Sequence, residues 1–382
     1  MKRLFCLLAA VVLLICSFPI QARAADLQVP AKSALLMDAA TGTVLYESNA
    51  DEPLAPASVT KVMTMLLIME AVDGGRIGWD DTVTASEAAA AKGGSQIYLK
   101  VGETMSVADM VKSIAVSSAN DCACAMAEHI AGSESAFVSM MNDRAKELGM
   151  ENTHFVNCTG LDDSEDAKDH KTSARDIAIM SRQLLKYHPD IKKYTTIWMD
   201  TVRNGAFGLS NTNKMVRFYS GCTGLKTGFT SAAGYCLSSS AQRDGMELIA
   251  VVMGSKTSQE RFSACKSMLD YGFANFAIVT PELPDNPVVP VKLGKSETVT
   301  AVPSGLDSML IDKSQRSSVT VETELESMVK APVSKGQRLG TLTVKCGQQV
   351  LAQIPLVAGE TVEKQSWGDI FLYLLRQVCM SK

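Results

Sequence analysis

Histidine is scarce. His129, His154, His170 and His188 are the only four in 382 residues, and they are scattered along the chain, so they offer no metal site. Eight of the ten cysteines lie beyond residue 24, at 122, 124, 158, 222, 236, 265, 346 and 379, and their spacings fit no zinc pattern. Cys122 and Cys124 would point to different faces of one helix. A chain of this length has core enough without disulfide staples, so the eight are expected as small buried thiols. There is no internal repeat and no low-complexity tract. The apolar run Leu4–Ile15 covers 12 residues, too few to span a bilayer comfortably. It stands behind Lys2 and Arg3 and ahead of Ala22-Arg23-Ala24, a small-x-small cleavage pattern. Residues 1–24 therefore read as a secretory signal peptide, with the mature chain starting near Ala25 and working outside the cytoplasm. Losing Lys2, Arg3 and Arg23 takes 37 basic residues to 34 against 41 acidic ones, a formal charge of −7. No basic stripe remains, which argues against nucleic acid as a partner.

What is present divides into two patterns. About 358 mature residues exceed one ordinary domain. "SALLMDAATGTVLYES" (33–48) alternates around Thr41-Gly42, and "GYCLSSSAQRDGMELIAVVMGS" (234–255) alternates around Asp244-Gly245; both read as hairpins. "YSGCTGLKTGF" (219–229) supplies a candidate fifth strand. Between these ends the spacing turns helical over 59–72, 107–116, 119–131, 135–148 and 173–187, with Ser106 and Ser173 or Thr172 as caps. The reading is a mixed α/β layer domain, residues 25–276, with a mostly antiparallel five-stranded sheet and a helical insert. After Phe276 comes a proline cluster and then short alternating strands. Residues 277–362 read as a small all-β sandwich.

The segment "PASVTKVMTMLLIMEAVD" (56–73) places a lysine at the head of a helix that must bury most of its circumference. Such a charge costs free energy unless paired or neutralised. Ser58-x-x-Lys61 alone is weak, since the spacing recurs at Ser263/Lys266 and Ser327/Lys330. Position separates them. Ser58 follows Pro56 at a helix start, where backbone N–H groups are unpaired, and Lys61 falls one turn on along the same face. A desolvated, neutral lysine can activate a serine without histidine. "SSAND" then puts Ser118 and Asn120 at a loop-to-helix junction, and "LKTGF" puts Lys226, Thr227 and Gly228 on a strand.

"ASVTK", "SSAND" and "GLKTGFTSAAGYCL", in that order, resemble the serine D-alanyl-D-alanine carboxypeptidases, the low-molecular-mass penicillin-binding proteins. "AFVSMMNDRAKELGMENTHFVNCTGLDD" and "HKTSARDIAIMSRQLL" are similar to that family's helical insert. The resemblance implies a β-lactamase/transpeptidase-like fold and no cofactor. It implies a peptidoglycan stem peptide ending in D-Ala-D-Ala as substrate, with β-lactams as covalent inhibitors. Ser58 would form the acyl-enzyme, with Lys61 as its base, its pKa lowered by burial and by Lys226. Ser118 would relay a proton to the leaving nitrogen, and Asn120 would hold the peptide and Lys61. Lys226 and Thr227 would bind the terminal carboxylate, with Gly228 letting the strand approach. The oxyanion would sit between the backbone N–H groups of Ser58 and Phe229. Arg261 in "SQERF" is a further carboxylate candidate. The acidic loop "DDSEDAKDH" (162–170) receives no role. Two alternatives remain: a β-lactamase, against which stands the lack of a Glu-x-x-x-Asn segment, and a penicillin sensor that acylates without turnover.

Residues 363–382 close the chain. In "WGDIFLYLLRQVCMSK", Trp367, Ile370, Phe371, Leu374, Leu375 and Val378 gather on one side of a helix, opposite Asp369, Arg376 and Gln377. The family resemblance makes it a membrane-surface anchor; the alternative is a helix docked on the β domain.

Overall fold

A computed structural model describes residues 27–281, 287–305 and 308–380, with the backbone alone at 373, 374 and 376–380. The expected signal peptide and the side chain of Cys379 lie outside the described residues. Strands β1 (Ser33–Asp38) and β2 (Val44–Ser48) form the first expected hairpin. The helical insert follows, with long helices α1 (Lys61–Asp73), α2 (Val107–Ser117), α3 (Asn120–Ala131), α4 (Glu134–Glu147) and α5 (Ala174–Tyr187). Ser106 Oγ accepts the Asp109 N–H at 3.2 Å and Ser173 Oγ accepts the Asp176 N–H at 3.1 Å, so both helix starts are capped by their own sequence.

Strands β3 (Cys222–Thr230), β4 (Gly234–Arg243) and β5 (Met246–Ser255) complete a sheet of order β2-β1-β5-β4-β3, antiparallel throughout. The β4–β5 turn has φ of 49° at Asp244 and 79° at Gly245, the pair of left-handed residues a type I′ hairpin needs. Because side chains alternate along a strand, Leu35, Met37, Ile249, Val251 and Met253 feed one core. Ala34, Leu36, Leu248, Ala250 and Val252 feed the other. Helix α6 (Ser258–Asn275) covers the second face, and the insert covers the first. Helix α1 is buried at every residue from Lys61 to Met69, so it has no polar stripe to display.

Strand β6 (Phe276–Val279) continues from α6. The remaining strands are β7 (Val288–Lys292), β8 (Thr298–Pro303), β9 (Met309–Asp312), β10 (Val319–Leu325), β11 (Val329–Lys330), β12 (Arg338–Cys346) and β13 (Gln349–Ala358). β6 pairs with β9, and the other six form a sheet of order β10-β12-β13-β8-β7-β11. Val321 and Leu325 of one edge and Val329 of the other pack on the same core of Val289, Val299, Leu342 and Leu356. The sheet thus folds over on itself as a small sandwich. Helix α7 (Trp367–Met380) ends the described chain.

Candidate active site

Ser58 lies on a single 3-10 turn, Ala57–Thr60, that runs into α1 at Lys61. Helical spacing then brings the two side chains together: Lys61 Nζ is 2.9 Å from Ser58 Oγ. The same amine donates to the Thr159 carbonyl at 2.8 Å. Lys61 is 0% exposed, and burial pulls its pKa down from 10.5 to about 7. That shift corresponds to about 5 kcal/mol against the charged form. The nearby Cys158 and Asp121 pull the other way. The expected help from Lys226 falls on Lys226 instead, whose own pKa lies well below normal through burial first and then through Lys61 and Arg261.

Ser118 ends α2 and Asn120 opens α3, the junction expected for the second motif. Ser118 has φ of 63°, an uncommon conformation for a residue with a Cβ. Asn120 Nδ2 donates to the Gly93 carbonyl at 2.7 Å, while its buried Oδ1 has no partner among the described residues. Among the described residues no hydrogen bond joins Asn120 to Lys61, whose amine meets Ser58 and Thr159.

The third motif occupies β3, which lies against the Ser58 turn. A Cβ on Gly228 would sit 2.6 Å from the Pro56 carbonyl oxygen and 3.1 Å from the Ser58 nitrogen. The glycine is thus required by the approach of strand to turn, closer than any real Cβ contact permits. That approach brings β3 against the backbone of the Ser58 turn. Lys226 is buried and donates to the Thr227 carbonyl at 2.8 Å, and Thr227 Oγ1 donates to Thr212 Oγ1 at 2.7 Å. Arg261 is 7% exposed. It comes from α6 on the far face of the sheet, and its Nη1 donates to the Gly228 carbonyl at 2.9 Å. Arg261 pins the back of β3, and no carboxylate pairs with it among the described residues.

Two lysines and an arginine thus gather near one serine, with Asp121 as the acid that Lys61 feels. Ser263/Lys266 and Ser327/Lys330 stand elsewhere, on α6 and in the β domain. Among the described residues no group of three or more His, Cys, Asp or Glu is placed to hold a metal ion.

The family model "D-alanyl-D-alanine carboxypeptidase" matches residues 20–257, and that of the penicillin-binding protein 5 C-terminal domain matches 284–364. The chain belongs to the D-alanyl-D-alanine carboxypeptidase family. It is 45% identical to D-alanyl-D-alanine carboxypeptidase DacF of Bacillus subtilis, over 90% of this chain and 88% of the relative. Penicillin binding protein 5 from Haemophilus influenzae has a similar structure, with TM-score 0.73 and 32% identity over 88% of this chain and 98% of that one. Penicillin-binding protein D2 from Listeria monocytogenes, solved in its ampicillin-bound form, matches with TM-score 0.59 and 33% identity. It covers 65% of this chain and 100% of its own.

Several residues around the family's three motifs carry no motif of their own. The Thr159 carbonyl is a backbone group and leaves no mark in the sequence. Gly160 does leave one: Asn157 Oδ1 accepts the backbone N–H groups of Thr159 and Gly160 at 3.1 and 2.7 Å, and Asn shortly before Gly is a turn signal.

Proposed function

We propose that this D-alanyl-D-alanine carboxypeptidase cleaves the terminal D-alanine from peptidoglycan stem peptides through an acyl-enzyme on Ser58. The observation that carries the reading is the fully buried Lys61 amine 2.9 Å from Ser58 Oγ. With one N–H on the Thr159 carbonyl, a neutral amine can turn its lone pair to the serine hydroxyl. It takes that proton as Oγ attacks the carbonyl between the two D-alanines. The oxyanion develops between the Ser58 and Phe229 N–H groups, each such donor being worth about 3–4 kcal/mol. Ser118 returns the proton to the leaving nitrogen. Asn120 Oδ1, buried and without a partner among the described residues, accepts a peptide N–H of the substrate. Lys226 and Thr227 hold the terminal carboxylate, and Arg261 supports them through the Gly228 carbonyl. Water then releases the shortened peptide. β-Lactams enter the same path as covalent inhibitors.

The division into a peptidase domain at 25–276, a β domain at 277–362 and a membrane-surface helix at 363–382 belongs to the same proposal. So does a location outside the cytoplasm, on the outer face of the membrane. The test is D-alanine release from a peptide ending in D-Ala-D-Ala, together with mass mapping of the penicillin adduct. Turnover with the adduct on Ser58, both lost in Ser58→Ala, is the expected result. An adduct on Ser263 or Ser327 overturns the assignment. Hydrolysis of penicillin in place of the peptide favours a β-lactamase, and acylation without peptide turnover favours a sensor. A substrate amidated at its C-terminus should lose nearly all of its rate; equal rates for acid and amide give Lys226 another role.

A further inference from the structure

His170 closes the acidic loop 162–170 and belongs to none of the three motifs, yet it touches both supports of the reacting pair. It is 3% exposed. Its Nδ1 accepts the Val156 backbone N–H at 3.0 Å. A backbone N–H can only donate, so Nδ1 is the acceptor and the ring proton resides on Nε2. Nε2 lies 2.8 Å from Thr60 Oγ1, to which it donates, and Thr60 Oγ1 donates onward to the Ala57 carbonyl at 2.8 Å. One constraint therefore sets the direction of the whole relay.

The two ends of that relay are the two halves of the site. Ala57–Thr60 is the turn that carries Ser58, and Ala57 is held at φ of 49°. Val156 begins the stretch whose Thr159 carbonyl holds the Lys61 amine. We propose that His170 is a positioning residue for acylation: its neutral Nε2–H imidazole ties the Ser58 turn to the 156–159 segment and so fixes nucleophile against base. The proposal rests on the reading of Ser58 and Lys61 as that pair. The surroundings keep the ring neutral. Burial comes first, then the neighbouring His154 and Lys61, and together they push its pKa down to about 4. The Phe155 ring meets the imidazole edge-on with centroids 5.7 Å apart, and no carboxylate hydrogen-bonds to it among the described residues.

The test uses the full enzyme and the rate constant for acylation by a fluorescent penicillin, scored beside the thermal midpoint. His170→Phe keeps a ring of similar shape and removes both hydrogen bonds; Thr60→Val removes the hydroxyl alone. Each is expected to slow acylation by about 10- to 100-fold, the scale on which misplaced reacting groups lose rate, with pre-covalent binding little changed. The double variant should be no slower than the slower single one, because both cut the same tie. His170→Gln carries an oxygen and an N–H on one amide, can serve both partners, and should return to within about fivefold of the parent. Parental acylation in His170→Phe with only a lower thermal midpoint would reduce His170 to a packing residue. Multiplying effects in the double variant would sever the proposed tie. Failure of the parent itself to acylate on Ser58 would instead remove the reading beneath the proposal, and mass mapping of the parent adduct detects that separately.

Discussion

The surroundings of Lys61, burial foremost, disfavour its charged amine by about 5 kcal/mol net and leave a proton acceptor with a pKa of about 7. The sign of the pH dependence follows. Below pH 7 the amine is mostly protonated and cannot accept from Ser58; above it, the neutral form dominates. Both kcat/KM and penicillin acylation should therefore rise about tenfold per pH unit up to about pH 7 and then level off. A profile flat from acid to neutral would point to a base other than Lys61. Lys61→Arg should lose about 10²- to 10⁴-fold in acylation, since arginine keeps its proton; near-parental labelling would exclude the lysine mechanism. At this scale the sequence was informative where chemistry is carried by side chains at fixed spacing. Ser58 and Lys61 come within hydrogen-bond distance, with Lys226 near enough to feel the Lys61 charge. It was silent on the Thr159 carbonyl, which any residue could supply, and on His170, which reads as the end of an acidic surface loop.

Elements meet here at distances that only glycine tolerates. Gly160, at φ of 79°, leaves room for a Cβ only 1.9 Å from the Ala57 carbonyl oxygen and 2.7 Å from Thr60 Oγ1. The segment that holds Lys61 thus rests directly on the turn that holds Ser58. Gly132 has nearly the same φ, 80°, with nothing within 4 Å of its Cβ position. The two glycines separate backbone strain from collision. Gly132→Ala should cost about 1–2 kcal/mol, the left-handed penalty alone, and leave acylation intact. Gly160→Ala should cost about 1–3 kcal/mol more, through overpacking, and slow acylation as well. Thermal melts and penicillin labelling of the two variants check this; equal losses would mean that the 160 contact is slack. Both hairpins and the five long helices of the insert were legible, because alternation, helical spacing and caps at Ser106 and Ser173 are local signals. The pairs 82–84 with 104–106 and 199–202 with 207–210 were not, since three or four residues cannot display a period. Neither was the β1–β5 pairing, which joins segments some two hundred residues apart.

For the whole molecule the question is what keeps the site near its substrate. Among the described residues no helix is long and apolar enough to cross a membrane. Helix α7, with 14 residues, reaches about 21 Å against a hydrocarbon core of about 30 Å. Yet Trp367 is 89% exposed, Phe371 64% and Leu375 46%, which disfavours a face docked on the β domain. Placing such side chains in a lipid interface is worth several kcal/mol at about 25 cal/mol per Å² of apolar surface, enough for reversible attachment of a helix lying in the surface. The β domain would then act as a spacer between membrane and active site. Truncation after Glu363 tests this at the cost of the backbone pairing of Lys364 and Gln365 with Leu293 and Gly294. Val362 remains in the β core, and Glu363 keeps its ion pair with Lys295. The truncated enzyme should leave the membrane fraction while keeping its thermal midpoint and its turnover of small peptides. Its action on intact cell wall should fall, because the substrate is then met only by diffusion. Retention on membranes after truncation would put the anchor elsewhere in the chain. A lowered thermal midpoint with release would make α7 part of the fold, its exposed face then covered by protein and not by lipid.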